Sequence, residues 1–171
     1  VELRTSRAGR ALAGASLMRG SEGAGNQSAQ NCADLESEHM AKRDRVVWCE
    51  RGWQPVYYGF CPSKRAWKRE MKRLGAKGEP YPDSDGRCTT FEHNRKTCIL
   101  VTIRDGSEKE RKSLEVVGLL VHESMHVWRE IRNNIGEREP SSEFEAYAMQ
   151  AIFQGLYDGY LKTRGENAPS S

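Results

Sequence analysis

The stretch Val116-Val117-Gly118-Leu119-Leu120-Val121-His122-Glu123-Ser124-Met125-His126-Val127-Trp128 decides how the rest of the chain is read. Its apolar residues recur at helical spacing. His122 and His126, four apart, project from one face of such a helix, so both imidazoles can reach a single Zn²⁺. Glu123, beside them, lies close enough to take a proton from a metal-activated water. An exposed helix can carry the same letters as solvated polar residues. The flanks argue otherwise, because Leu114, Val117, Val121, Met125 and Trp128 form a helical stripe expected to bury the segment.

A hydrolytic zinc site needs a third protein ligand and one open position, and no histidine follows His126. The segment Pro140-Ser141-Ser142-Glu143-Phe144-Glu145-Ala146-Tyr147-Ala148-Met149 reads as a second helix opening at Ser141 or Ser142. With Ser142 as N-cap, Glu145 falls at N3 of a capping box and has a structural duty. Glu143 is then the freer carboxylate and the preferred ligand. Glu145 is the alternative, with Glu137 and Glu139 behind it. Favourable negative charge at a helix N-terminus is the reading of these glutamates without a metal, and the one that fits Glu139.

These helices, H-E-S-M-H-V-W and then E-F-E-A-Y-A-M-Q after a short connection, resemble those of the gluzincin class of zinc metallopeptidases. More narrowly, F-C-P-S-K-R-A-W-K-R-E-M-K-R-L-G, C-T-T-F-E-H and H-E-S-M-H-V-W-R-E-I together look like the small metallopeptidases of bacteriophages and prophages, over about Val46 to Tyr160. The resemblance implies a zincin-like fold, one Zn²⁺ and a protein or peptide substrate. One departure is visible: Tyr147 stands where many relatives of the wider class carry an aspartate that steadies a zinc histidine.

At 171 residues and 19.4 kDa the chain holds one domain's worth of sequence. Its longest apolar run, Val116 to Val121, is far too short to span a bilayer, which excludes a membrane-embedded protein of helical type. Arg4, Arg7 and Arg10 precede a mildly apolar segment, but its glycine and serine make a poor signal-peptide core, so a cytoplasmic location is expected, in the bacterial host for a phage-encoded protein. Residues 1–42 carry no aromatic side chain and are rich in Gly, Ser, Ala and Gln around 20–30; they read as a disordered tail, with Met40 as an alternative start. Residues 43–163 are the expected domain and 164–171 a second tail.

Within that domain, 46–49 and 54–60 read as strands, then Ser63 caps a helix with Trp67, Met71 and Leu74 on one face and Gly75 as its stop. The other face collects Lys64, Arg65, Lys68, Arg69, Lys72 and Arg73. Nucleic-acid contact through this basic helix, 63–74, is the competing use, but a net charge of only +3 favours a solvated face. A hairpin of 88–93 and 97–103 follows, joined by Asn94-Arg95-Lys96. Residues 99–103 are read either as a core strand or as an edge that pairs with substrate. His93, and Tyr147 one turn beyond Glu143, are auxiliary candidates beside the metal. Of five cysteines no two form C-x-x-C, so free thiols are favoured over a second metal cluster of Cys49, Cys61, Cys88 and Cys98.

The expected fold is therefore α+β, a small zincin-like domain whose short strand-and-hairpin layer packs on the H-E-x-x-H helix and on the C-terminal helix carrying the third ligand. The expected function is zinc-dependent peptide hydrolysis with Glu123 as general base. A nucleic-acid-binding or structural phage protein with a non-catalytic zinc site is the alternative.

Overall fold

The computed structural model describes residues 43–164, and both expected tails, apart from Arg164, lie outside the described residues. The elements are β1 (Val47–Trp48), β2 (Tyr57–Cys61), α1 (Lys64–Leu74), β3 (Gly86–His93), β4 (Lys96–Ile103), α2 (Ser107–Glu110), α3 (Ser113–Ile135) and α4 (Ser142–Arg164). The architecture is α+β as expected. The four strands form one mixed sheet ordered β1-β2-β4-β3, with β2 parallel to β4 and the other neighbours antiparallel.

Alternation along β4 sorts the core into two layers. Ile99, Val101 and Ile103 face α3 and α4, joined there by Val56, Tyr58 and Phe60. Cys98 and Leu100 face α1, where Trp67, Met71 and Leu74 cover them. A strand buried on both faces reads as a nearly continuous apolar run, which is why Cys98 to Ile103 shows no polar alternation and carries only the buried Thr102 as a polar residue. The same fact corrects one expectation. β4 is the inner strand, paired with β2 and β3 along its length, so residues 99–103 offer no edge to a substrate. The edge is β3. Two residues, Asn94 and Arg95, turn it into β4, and both have positive φ (50° and 61°), as a two-residue hairpin turn of matching twist demands.

Helix α1 is built as its sequence dictates. Ser63 Oγ accepts the Ala66 N–H at 3.1 Å, and Gly75 ends the helix at φ +77°, a conformation that glycine adopts without strain. Helix α3 differs from expectation in its rotation. Its buried face is Val116, Leu120, Ser124, Val127, Trp128 and Ile131, whereas Leu114, Val121 and Met125 of the expected stripe are exposed at 79%, 46% and 44%. A helix wedged between a sheet and a second helix buries a broad arc, and here two apolar rows competed for it. The row that lost leaves His122 and His126 at the edge of the buried arc and carries Glu123 into it.

The C-terminal helix includes Arg164, the first residue of the expected tail. Arg164 ends α4 fully buried and donates to the Ile103 and Arg104 carbonyls at 2.7 and 2.8 Å, tying the last helix to the end of β4. Arg164→Ala should leave both carbonyls without those donors and cost about 2–3 kcal/mol. Chemical denaturation measures it, and an unchanged midpoint would show that the tie contributes nothing.

Candidate metal centre

Helix α3 delivers three chemically distinct side chains to one cleft. His122 and His126 meet with their Nε2 atoms 3.2 Å apart and their rings at 70°. Two nitrogens bound tetrahedrally to one Zn²⁺ at ordinary Zn–N lengths would stand about 3.4 Å apart. The separation of the pair is therefore close to the one a tetrahedral ion would impose. His122 is exposed and His126 half-buried, which leaves the pair open to solvent.

Glu123 is only 4% exposed, because the turn that exposes His122 directs it toward β3. Burial pushes its carboxyl above the usual range; His126, then His122, then the Cys88 backbone N–H that it accepts, pull the other way. The approach is close enough that Gly86 has no room for a side chain. A Cβ there would stand 2.8 Å from Glu123 Oε1. The cleft, about 370 Å³, runs between β3 and α3 and is lined by Gly86, Arg87, Cys88 and Thr90 on one side and by the two histidines, Glu123 and Glu130 on the other.

Glu130 was missed from sequence. It continues the row His122, His126, Glu130 at four-residue steps, and that spacing alone was the available signal. Cys88 is a second lining residue not foreseen. Burial, then Glu123 and Glu130, push its thiol up to about 12, so it enters the cleft as a neutral SH.

The second helix does not close the site in this structure. Among the described residues, no set of three His, Cys, Asp or Glu side chains stands close enough to hold a metal, so Glu143 is not brought together with the histidines; it is exposed on the first turn of α4. The helix opens one residue earlier than the capping-box reading required. Ser141 Oγ accepts the Phe144 N–H at 3.3 Å, and Glu145 does not sit at N3. Glu145 instead accepts the Trp128 indole N–H at 2.7 Å, with Arg132 at 3.8 Å, and so locks α4 to α3. Tyr147 is 67% exposed and does not line the cleft.

His93 is not an auxiliary group here. It lies at the far end of β3, bonded through Nδ1 to the Leu74 carbonyl (3.2 Å) and through Nε2 to the Asn94 amide (3.0 Å). The four described cysteines are free thiols split between the two faces of the sheet, Cys49 and Cys88 toward α3 and α4, Cys61 and Cys98 toward α1. They form no cluster. Cys32 lies outside the described residues.

The lock between helices predicts a difference between two substitutions. Glu145→Gln keeps an amide oxygen for the indole and should cost about 1 kcal/mol or less, while Glu145→Ala orphans a buried donor and should cost about 1–3 kcal/mol. Bound zinc should be unchanged in both. Zinc lost in Glu145→Gln with the fold intact would make this carboxylate a ligand.

No family model matches the chain, and no curated protein or solved structure shows significant similarity to it.

Proposed function

We propose that this protein is a zinc-dependent peptidase whose metal is held by His122 and His126. The observation that carries the reading is the 3.2 Å separation of the two Nε2 atoms beside a buried, backbone-anchored Glu123. For the third ligand we propose Glu143, reached through adjustment of the first turn of α4. Glu130 is the rival, favoured by its place in the same cleft. When bound, Zn²⁺ supplies Lewis acidity that polarises the scissile carbonyl and acidifies the attacking water.

The chain's own groups do the rest. Glu123, which lines the cleft from α3 and accepts the Cys88 N–H, takes the proton from the attacking water and passes it to the departing amine nitrogen. Its buried setting raises its basicity toward the range in which a carboxylate accepts and returns a proton readily. Strand β3 has no strand partner on its outer side among the described residues, so an extended peptide can add there through main-chain hydrogen bonds, its carbonyl beside the histidines. Among the described residues no helix is long and apolar enough to cross a membrane, and none is needed to present a peptide to this edge.

Metal analysis and a quenched peptide library test the proposal on the full chain. Zinc near one equivalent, turnover abolished by a chelator and restored by zinc, is the expected result. Zinc-loaded protein that cleaves no peptide in the library would reduce the site to a structural or regulatory metal.

A further inference from the structure

A second concave site, independent of the histidine cleft, lies at the other end of β3, roughly 24 Å along the strand from Gly86. It is a cavity of about 670 Å³, where the end of β1, the start of β2, the last turn of α1 and the β3–β4 turn meet. Its lining combines Arg51, Arg73 and Lys96 with the rings of Trp48 and Tyr57, and no carboxylate among the described residues lines it.

The cations and rings are interleaved. Arg51 donates to the Tyr57 hydroxyl at 2.6 Å and its guanidinium carbon stands 5.1 Å from that ring's centroid; Lys96 stands 5.4 Å from the same ring. The Arg73 guanidinium lies 5.6 Å over Trp48. Arg73 is balanced by the buried Glu70, but no ion pair joins Arg51 or Lys96 to a carboxylate among the described residues. Their hydrogen bonds, Arg51 first, pull the Tyr57 phenol below its ordinary range, as expected where positive potential is left uncompensated. From Arg73 the charge continues along the exposed face of α1 through Arg69, Lys68 and Lys72.

We propose that this cavity is a binding site for single-stranded nucleic acid, with a phosphate between Arg51 and Lys96, an unpaired base against Trp48 and Tyr57, and the strand continuing over the basic face of α1. Sequence-tolerant binding of this kind needs a cationic track beside aromatic rings, and here both line one cavity, the half-buried rings of Trp48 and Tyr57 next to Arg51, Arg73 and Lys96. An acidic protein would use the charge but leave the rings idle. A duplex would present phosphates but no free base face. The basic face of α1, expected from net charge to be merely solvated, becomes the outer part of this site.

Fluorescence anisotropy of a labelled single-stranded oligothymidylate, titrated with the full chain at several salt concentrations, tests the proposal. Binding should be saturable, should weaken steeply with salt, and should resist competition by the same sequence as a duplex. Arg51→Glu/Lys96→Glu, both exposed side chains, should weaken it at least tenfold and flatten the salt slope by about two units, while Tyr57→Ala, which removes the ring and keeps both cations, should weaken it severalfold with a smaller change in that slope. A circular-dichroism melt of the double variant guards against unfolding, and Arg51→Gln/Lys96→Gln should give an intermediate loss. Failure to bind at low salt, or binding unchanged in the double reversal, would overturn the site. Displacement by thymidine monophosphate as effective as by the oligonucleotide would overturn the strand and leave a free-nucleotide pocket.

Discussion

His122→Ala or His126→Ala should strip the purified protein of nearly all its zinc, while Glu123→Gln should keep the metal and lose about 10²–10⁴-fold in peptide turnover. The contrast follows from the geometry. The two Nε2 atoms stand 3.2 Å apart, and removing either leaves a single imidazole that cannot hold the ion against solvent. Glu123 lines the same cleft, where its amide analogue can still accept the Cys88 N–H but takes no proton. Atomic absorption and peptide turnover on the same preparations separate the roles. Stoichiometric zinc in both histidine variants would sink the metal assignment, and a fully active Glu123→Gln would sink the mechanism. The carboxylates divide by the same assay. Glu143→Gln should weaken zinc binding strongly if the proposed ligand set is right; loss in Glu130→Gln alone would move the third ligand onto α3.

What could be read from the chain was local, and what could not be was set by distant partners. Ser63 and Gly75 bracket α1 in the sequence because capping and a left-handed stop are properties of single residues and their immediate neighbours. The Asn94-Arg95 turn was legible for the same reason, although the sequence reading placed Lys96 in the turn and the structure places it in β4. The inner position of β4 was not legible. It depends on parallel pairing with β2, some forty residues earlier in the chain, and an apolar run such as Cys98 to Ile103 has the same letters whether one or both of its edges are paired.

The site divides in the same way. His122, Glu123 and His126 are neighbours in sequence and on the helix, so their meeting was assured once the segment was helical. The rotation of that helix was not assured, because two apolar rows, one through Val121 and Met125 and the other through Leu120 and Val127, fit a helical period equally well. Only packing against Ile99, Val101 and Ile103 on one side and α4 on the other selects between them. The carboxylates of α4 were ranked by an assumed N-cap one residue off. That error transferred the capping duty to Glu145, whose actual partner, Trp128, lies seventeen residues away.

Gly86→Ala should lower peptide turnover by about tenfold to a hundredfold with zinc content unchanged, since a misplacement of about 1 Å in a reacting group has that order of effect. Nothing in the sequence marks Gly86 as special, and its backbone has no positive φ that would require glycine. Its importance lies in what faces it. A methyl group there would stand 2.8 Å from Glu123 Oε1 and 3.3 Å from Cγ, so the carboxylate end of the side chain has to shift. Glu123 cannot retreat into the core without leaving its charge unsolvated, so it must swing toward the cleft and give up the Cys88 N–H. Both histidines, outside this contact, keep their geometry. The two outcomes are thereby distinguishable: a fall in kcat at constant zinc supports Glu123 as the base positioned by the β3 edge, whereas wild-type kcat in Gly86→Ala would show that the close approach of strand and carboxylate has no part in the chemistry.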